Sequence, residues 1–212
     1  MRASIKEFIS LVASLLPIGE PVYEFGSLQV NGQEGFADLR PLFPGREYVG
    51  CDLREGPGVD EILSLHNIDL PFGSVGTVLC LDTLEHVEYP RLALSEIHRI
   101  LRPNGIAIIS SVMYHHIHDY PSDYWRFTPE GFKSLLRPFS SSFVGYAGDE
   151  DFPHTIVGVG FKGEQPNLQK FESLYRAWQD KVSRPAIQLS GKDVVRLLIP
   201  PIVSHIRRRL IR

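Results

Sequence analysis

The sequence is poor in cysteine and contains no long apolar run. Its 212 residues include two cysteines, Cys51 and Cys80, both in short apolar, β-prone stretches. Such thiols are typical of buried side chains in a reducing compartment rather than of a disulfide or a zinc site. No apolar run reaches membrane-spanning length, and Lys6 and Glu7 interrupt any signal-peptide pattern at the N-terminus. We therefore expect a cytoplasmic protein whose length suits one domain with a full core.

Positive charge is scarce over residues 1–180, which hold 14 Lys and Arg against 24 Asp and Glu, a net charge of −10. An acidic body disfavours nucleic acid as a partner, because binding phosphates requires a basic face. Residues 181–212 have the opposite balance, with 8 Lys and Arg and the single acid Asp193. We accordingly divide the chain into a domain over residues 1–180 and a basic amphipathic C-terminal extension over residues 181–212.

The sequence also lacks the second and third glycines of the dinucleotide-binding pattern G-x-G-x-x-G. The β-prone run Val22–Phe25 is followed by Gly26 and Ser27, and a second run, Tyr48–Cys51, ends on Asp52. In a parallel sheet this order presents backbone N–H groups and then a carboxylate to a nucleoside. Without the further glycines a pyrophosphate has no cradle, which disfavours NAD and FAD and favours a nucleoside without phosphates. An ordinary βαβ turn with a surface acid is the alternative interpretation.

The other apolar runs alternate between helical and strand spacing. Together they predict a doubly wound, Rossmann-like α/β fold, with a mostly parallel sheet, an antiparallel C-terminal edge hairpin and helices on both faces. The predicted helices cover residues 3–16, 90–101 and 166–181, with another starting at Thr128-Pro129-Glu130. The further predicted strands are 59–63, the continuously apolar 75–81, 106–112, 139–147 and 155–162.

The segment from Asp69 to Ser110 makes this pattern more specific. It has Leu-Pro-Phe before the fourth strand, Leu-Glu-His-Val after it, and Leu-Arg-Pro-Asn-Gly before the fifth. In order and spacing it resembles the central block of class I S-adenosylmethionine-dependent methyltransferases. With the runs YEFGS and YVGCD, the resemblance covers roughly residues 20–163. The later segment HDYPSDYWRFTPEGF is similar to one in bacterial members of this family, many of them associated with surface-glycan genes.

The resemblance implies S-adenosylmethionine as the cofactor and assigns roles to nine residues at strand ends. The methionine end of the cofactor would be lined by Glu24, Gly26 and Ser27. The ribose hydroxyls would be held by Asp52, and the adenine would be flanked by Leu53, His66 and Asn67. The floor beneath the sulfonium would be formed by Leu81 and Asp82.

Residues 113–128, which we call the lid, follow the fifth predicted strand at the edge where open α/β sheets bind ligands. One interpretation is a metal cluster of His115, His116, His118, Asp119 and Asp123. A metal site needs a geometry that loop spacing does not supply, so we predict no metal and favour an acceptor pocket. Flat aromatic faces and a bidentate cation suit a sugar ring or an anionic group. The predicted acceptor-binding residues are His115, Tyr120, Asp123, Tyr124, Trp125 and Arg126. Packing of Trp125 and Phe127 onto the sheet is the other interpretation.

Our functional hypothesis is methyl transfer to a small-molecule or glycan-linked acceptor. If the acceptor must lose a proton, His86 and His118 are the candidate bases, because imidazole titrates near neutral pH. The alternative is a catalytically silent methyltransferase fold that serves as a binding module, a reading motivated by the glycine-poor first loop.

The C-terminal extension has two interpretations. A basic amphipathic helix within residues 190–212 could bind an anionic membrane surface. The same helix could instead pack on the acidic body of its own chain or on that of a neighbouring subunit. In the second case the protein would be a homo-oligomer.

Overall fold

A computed structural model describes residues 2–118 and 122–183 of the chain. The predictions for Asp119, Tyr120 and the 190–212 helix therefore lie outside the described residues. The described part contains four α-helices and seven β-strands. The helices are α1 (Ala3–Leu15), α2 (Pro90–Ile100), α3 (Pro129–Leu135) and α4 (Gln169–Ser183). The strands are β1 (Val22–Phe25), β2 (Tyr48–Asp52), β3 (Glu61–Ile62), β4 (Val75–Leu81), β5 (Leu101–Val112), β6 (Ser141–Gly148) and β7 (Pro153–Phe161).

The seven strands form one sheet in the order β3-β2-β1-β4-β5-β7-β6. Strands β1 to β5 pair in parallel, whereas β7 runs antiparallel to both β5 and β6. This topology confirms the predicted doubly wound sheet with an antiparallel edge hairpin. The strand order reverses between β1 and β4, and open α/β sheets bind ligands in the crevice at such a switch point.

Both faces of the sheet are covered, which explains why β4 is apolar from end to end. One core contains Leu94 and Ile97 of α2 together with Phe132 of α3. The other contains Phe8 of α1 and Trp178 of α4. The two cysteines are buried free thiols, as predicted from their apolar surroundings.

The structure departs from the predicted elements in the connections. Arg102–Gly105, predicted to be the turn that closes α2, lies inside β5, and Asn104 adopts a φ of 64°. The strand irregularity arises because Val75 pairs with Leu101 and Thr77 with Ile106, so β5 carries extra residues between these pairs. The crossover between β1 and β2 contains the 3₁₀ turn Arg40–Leu42 and no α-helix.

Among the helices of residues 2–118 and 122–183, none combines the length and the hydropathy that crossing a membrane requires.

Candidate active site

A cleft opens at the carboxyl ends of β1, β2 and β4, where the switch point predicts a ligand site. It consists of two adjoining hollows that share four lining residues: Gly26, Asp52, Thr83 and His86. Gly26 directly follows β1, Asp52 ends β2, and Thr83 and His86 follow β4. The shared residues make the two hollows a single continuous site, and Asp52 is the carboxylate that borders both.

The first hollow, which we call the apolar hollow, has hydrocarbon walls. Its further lining includes Phe25, Leu53, Leu63, Leu65 and His66. Two of the residues predicted beside an adenine, Leu53 and His66, thus border it. The third of these residues, Asn67, is exposed and borders neither hollow. A flat apolar ring fits such a space because burying it removes apolar surface from water.

The second hollow, the polar hollow, is lined in part by Glu24, Ser27, Leu81 and Asp82. Glu24 is only 4% exposed and accepts a hydrogen bond of 2.6 Å from the Tyr48 hydroxyl. Burial raises the pKa of Glu24 to about 7, against the lowering effect of that hydrogen bond. The buried Ser27 Oγ has no hydrogen-bond partner within residues 2–118 and 122–183. This hollow therefore holds polar groups whose hydrogen-bonding capacity is not used up.

The backbone conformation of Gly26, in the first loop, shapes the cleft. Its φ is +87°, and a Cβ at this position would overlap the Thr83 hydroxyl. That hydroxyl donates a hydrogen bond of 2.9 Å to the Leu81 carbonyl, which fixes the turn after β4. A glycine is needed here for two independent reasons, which are its left-handed backbone and the close approach of the Thr83 side chain.

Asp82 lies at the tip of β4 with an unusual backbone, since its φ is +48°. Ser110 donates to its Oδ1 at 2.9 Å. Arg2, immediately before α1, binds both carboxylate oxygens at 2.7 and 3.1 Å. Sequence reasoning missed Arg2, because nothing local signals a contact with a residue 80 positions away.

The lid is organised by a buried carboxylate. Asp123, whose side chain is 2% exposed, forms a two-point ion pair with Arg126 and accepts a hydrogen bond of 2.8 Å from the His118 N–H. The Arg126 ion pair holds the pKa of Asp123 far below its usual range. Arg126 also donates to the His116 carbonyl at 2.9 Å. In this arrangement its guanidinium contacts other lid groups, and its role toward an acceptor stays a prediction.

The aromatic residues of the lid present partly exposed faces. Tyr124 is 47% exposed and Trp125 is 43% exposed. The Trp125 indole N–H donates to the Val87 carbonyl at 3.0 Å, which attaches the lid to the turn after β4. Trp125 also borders a third, largely apolar hollow together with Tyr89 and Phe127. At the end of the lid, the Thr128 side chain accepts a hydrogen bond from the Gly131 N–H at 3.1 Å, which confirms the predicted N-cap of α3.

Two of the predicted histidines meet beside the cleft. The rings of His86 and His118 pack edge to face with centroids 4.8 Å apart. Burial lowers the pKa of His86, which favours the uncharged form of this imidazole. The neighbouring Glu85 is 1% exposed, and its carboxylate accepts a hydrogen bond of 2.6 Å from Ser111. Burial, followed by the nearby Asp82 charge, raises the pKa of Glu85. Sequence reasoning passed over Glu85, although it stands inside the Leu-Glu-His-Val segment.

Part of the chain matches a known protein family, and its fold matches that of solved methyltransferase structures. A family model described as a methyltransferase domain matches residues 45–109. A search of curated proteins returns no match. A possible histamine N-methyltransferase of Thermotoga maritima has a similar structure, with a TM-score of 0.56 and 20% identity over 76% of this chain and 89% of that one.

Two further solved structures are similar. The 1,6-didemethyltoxoflavin-N1-methyltransferase of Burkholderia thailandensis, bound to 1,6-didemethyltoxoflavin and S-adenosylhomocysteine, has a TM-score of 0.56 and 20% identity over 76% of this chain and 79% of that one. A putative methyltransferase in complex with the Haloferax volcanii Trm112 activator has a TM-score of 0.54 and 17% identity over 77% of this chain and 90% of that one. Residues 45–109 thus match a methyltransferase domain, and the described part of the chain shares the fold of these methyltransferase structures.

Proposed function

We propose that this protein transfers a methyl group from S-adenosylmethionine to a small-molecule or glycan-linked acceptor. The observation that carries the proposal is the continuous cleft at the switch point, apolar at one end and polar at the other, with Asp52 between them. S-adenosylmethionine, an adenosine joined to a charged amino acid, is likewise apolar at one end and polar at the other. Its adenine is flat and apolar, its ribose has two hydroxyls, and its methionine end has an ammonium and a carboxylate.

The residues of the cleft fit this cofactor. Asp52 would accept hydrogen bonds from both ribose hydroxyls, and Leu53 and Leu65 would cover the adenine. Glu24 would meet the ammonium group, which favours the charged form of this buried carboxyl. Ser27 would gain the hydrogen-bond partner that its buried hydroxyl lacks within the described residues. When bound, the cofactor supplies a methyl group on a sulfonium, which needs alignment with the acceptor more than it needs acid or base.

The surrounding groups would orient the acceptor and exclude water. Asp82 and His86 border the polar hollow, where the methyl group would be presented. The lid is attached to this region through Trp125 and through Tyr124, whose N–H donates to the Glu85 carbonyl at 2.8 Å. His86 and His118 stay the predicted bases for an acceptor that must lose a proton.

The exposed aromatic faces support a ring-shaped acceptor. Tyr89, Tyr124 and Trp125 are each more than two-fifths exposed. Tyr124 and Trp125 belong to the lid, and Tyr89 borders the third hollow together with Trp125. Flat, half-exposed aromatic faces of this kind stack on sugar or aromatic rings. The acidic body over residues 1–180 disfavours a nucleic acid acceptor.

The test is calorimetric titration of S-adenosylhomocysteine into the purified protein, with NAD as the control ligand. We expect binding of the former alone. Asp52→Ala should weaken it at least about tenfold, because hydrogen bonds to a charged group contribute roughly 1.5–3 kcal/mol. Asp69→Ala is the matched control, since Asp69 is an exposed acid that borders neither hollow.

Equal affinity of the Asp52→Ala and wild-type proteins would contradict the cofactor assignment. Absence of binding by folded wild-type protein would favour the alternative, a silent methyltransferase fold that acts as a binding module.

A further inference from the structure

Three side chains with the chemistry of metal ligands converge beside the cleft. One potential ligand atom each from Glu85, His86 and His118 lies within 4.8 Å of the other two. Glu85 and His86 belong to the 3₁₀ turn Leu84–His86 that follows β4, and His118 comes from the lid. Ligands about 2 Å from a zinc ion lie roughly 3–3.5 Å from one another, so the set would contract by up to roughly 1.5 Å on binding.

In both imidazoles the hydrogen-bond contacts involve Nδ1, which leaves Nε2 available to a metal. His86 Nδ1 lies 2.6 Å from the Ser122 carbonyl oxygen. His118 Nδ1 lies 3.3 Å from the His116 carbonyl oxygen and 3.3 Å from Asp123 Oδ2. These oxygens can only accept, so Nδ1 of each ring carries the donated hydrogen and Nε2 is the nitrogen that a metal would bind. A histidine that ligates a metal through one nitrogen almost always donates its other N–H to a carbonyl or a carboxylate.

The groups behind these ligands are themselves held in place. Glu85 is 1% exposed, and Ser111 donates to one of its carboxylate oxygens. Asp123, the carboxylate beside His118, is fixed by its two-point ion pair with Arg126. Such supporting hydrogen bonds orient ligands before an ion arrives. Arg126 and Asp123, predicted to bind the acceptor, would on this reading position His118.

We propose that Glu85, His86 and His118 bind one divalent transition-metal ion of the zinc class at the edge of the cleft. Two imidazoles and one carboxylate form a common ligand set of sites that keep open coordination positions for solvent or a substrate oxygen. Because His86 borders the polar hollow, the ion would lie beside the place where the methyl group would be presented. If the proposed methyltransferase function holds, the ion would bind an acceptor oxygen and lower its pKa, so that its proton leaves to water.

This assignment differs from the lid cluster considered from the sequence. His115 and His116 stack on each other 4.2 Å apart, and both are exposed. They share no buried carboxylate of the kind that Glu85 supplies. With the ion bound, His86 and His118 would act as ligands, and the ion would replace them as the group that promotes loss of the acceptor proton.

The test is metal binding by the full-length protein after treatment with a chelator. Co²⁺ is titrated while its visible absorption is recorded, and Zn²⁺ is titrated by calorimetry. We expect one ion per chain and the spectrum of a low-coordinate Co²⁺ site. His86→Ala, His118→Ala and Glu85→Gln should each weaken Zn²⁺ binding at least about 100-fold, and Asp123→Asn about 10- to 100-fold.

Two control variants locate the ion. His98→Gln changes a half-buried histidine that packs on Phe139 outside the cluster, and it should bind Zn²⁺ as the wild type does. The double variant His115→Ala/His116→Ala should also retain binding. Loss of binding in the double variant alone would overturn the proposal in favour of the lid cluster. Circular dichroism of each variant verifies folding, and Glu85→Gln retains the shape of the buried side chain.

Absence of stoichiometric binding by the folded wild type, or binding that His86→Ala and Glu85→Gln leave unchanged, would overturn the proposal. S-adenosylhomocysteine titrations of the same samples separate this failure from that of the methyltransferase assignment. Metal binding without cofactor binding would support the ion site and contradict the proposed function. Cofactor binding without metal binding would support the proposed function and contradict the ion site.

Discussion

At the scale of single residues, the polar hollow contains one carboxyl group that is almost fully buried. Glu24 accepts its hydrogen bond from a phenol and is 4% exposed. The resemblance to methyltransferases predicted that Glu24 lines the cleft. It did not predict Tyr48 as the donor, because the hydrogen bond joins two strands and depends on how β1 and β2 pair. Arg2 and its ion pair with Asp82 were unpredictable for the same reason.

Glu24 should make the stability of the protein without cofactor depend on pH. Its pKa is about 7 in the folded protein, above the ordinary value of 4.5. The neutral carboxyl is thus favoured by folding, and its contribution, complete below pH 4.5, is lost as the pH rises through 7. Glu24→Gln should therefore gain stability relative to the wild type between pH 5 and pH 8, by up to roughly 3 kcal/mol. Urea unfolding at both pH values measures this difference.

The control for this experiment is Glu164→Gln, which changes an exposed carboxyl. An identical pH dependence in the wild type and in Glu24→Gln would show that Glu24 is ionised at little cost in the folded protein.

At the scale of elements, the sequence predicted those whose hydrophobic pattern is unambiguous. β4 occupies the predicted residues 75–81, because a continuous apolar run between polar residues admits one interpretation. The edge hairpin matched within two residues at each end, because β-prone runs flank an acidic turn. The turn signal at Arg102–Gly105 was misread as the end of α2, because these residues lie in β5 as the irregularity between the pairs Val75–Leu101 and Thr77–Ile106. Asn104 keeps a left-handed backbone there, so the turn chemistry survives inside the strand.

One tyrosine hydroxyl forms two hydrogen bonds between α4 and β6. Tyr175 Oη donates to the Tyr146 carbonyl at 2.9 Å and accepts from the Tyr146 N–H at 2.8 Å. A side chain at Gly145 would overlap the Tyr175 ring. Tyr175→Phe leaves both backbone groups without this partner and should lower the free energy of unfolding by about 1–3 kcal/mol. Chemical denaturation measures the change.

Tyr114→Phe is the control for this prediction, because Tyr114 is 65% exposed and its hydroxyl can reach water. Equal stability of Tyr175→Phe and the wild type would mean that water replaces the lost hydrogen bonds.

At the scale of the whole described molecule, the first and last helices pack together on one face of the sheet. The Trp178 indole N–H donates to the Ser4 carbonyl at 3.0 Å, and its ring packs on Phe8 with centroids 5.3 Å apart. Neither partner was predictable from the sequence, since 174 positions separate Trp178 from Ser4. Amphipathic spacing predicted both helices but could not say that they meet.

Trp178→Ala should be among the most destabilising single substitutions. Trp178 is 7% exposed, and truncating a buried Trp to Ala costs about 3–5 kcal/mol. For a chain of this size each kcal/mol lowers the Tm by roughly 2–4 °C, and differential scanning calorimetry measures the change. Leu174→Ala, on the same helix but 43% exposed, should have a much smaller effect. Comparable losses in the two variants would contradict the packing described for α4.

The burial of both cysteines has a practical consequence for labelling. Cys51 and Cys80 are the only thiols of the chain, and burial raises the pKa of each, so the folded protein offers thiol reagents almost no reactive group. A single cysteine introduced at an exposed position such as Tyr124 would therefore carry a dye in nearly pure form without prior removal of the native pair. Such a dye would report changes in its surroundings as ligands bind, and slow reaction at the native thiols would record the opening of the sheet itself.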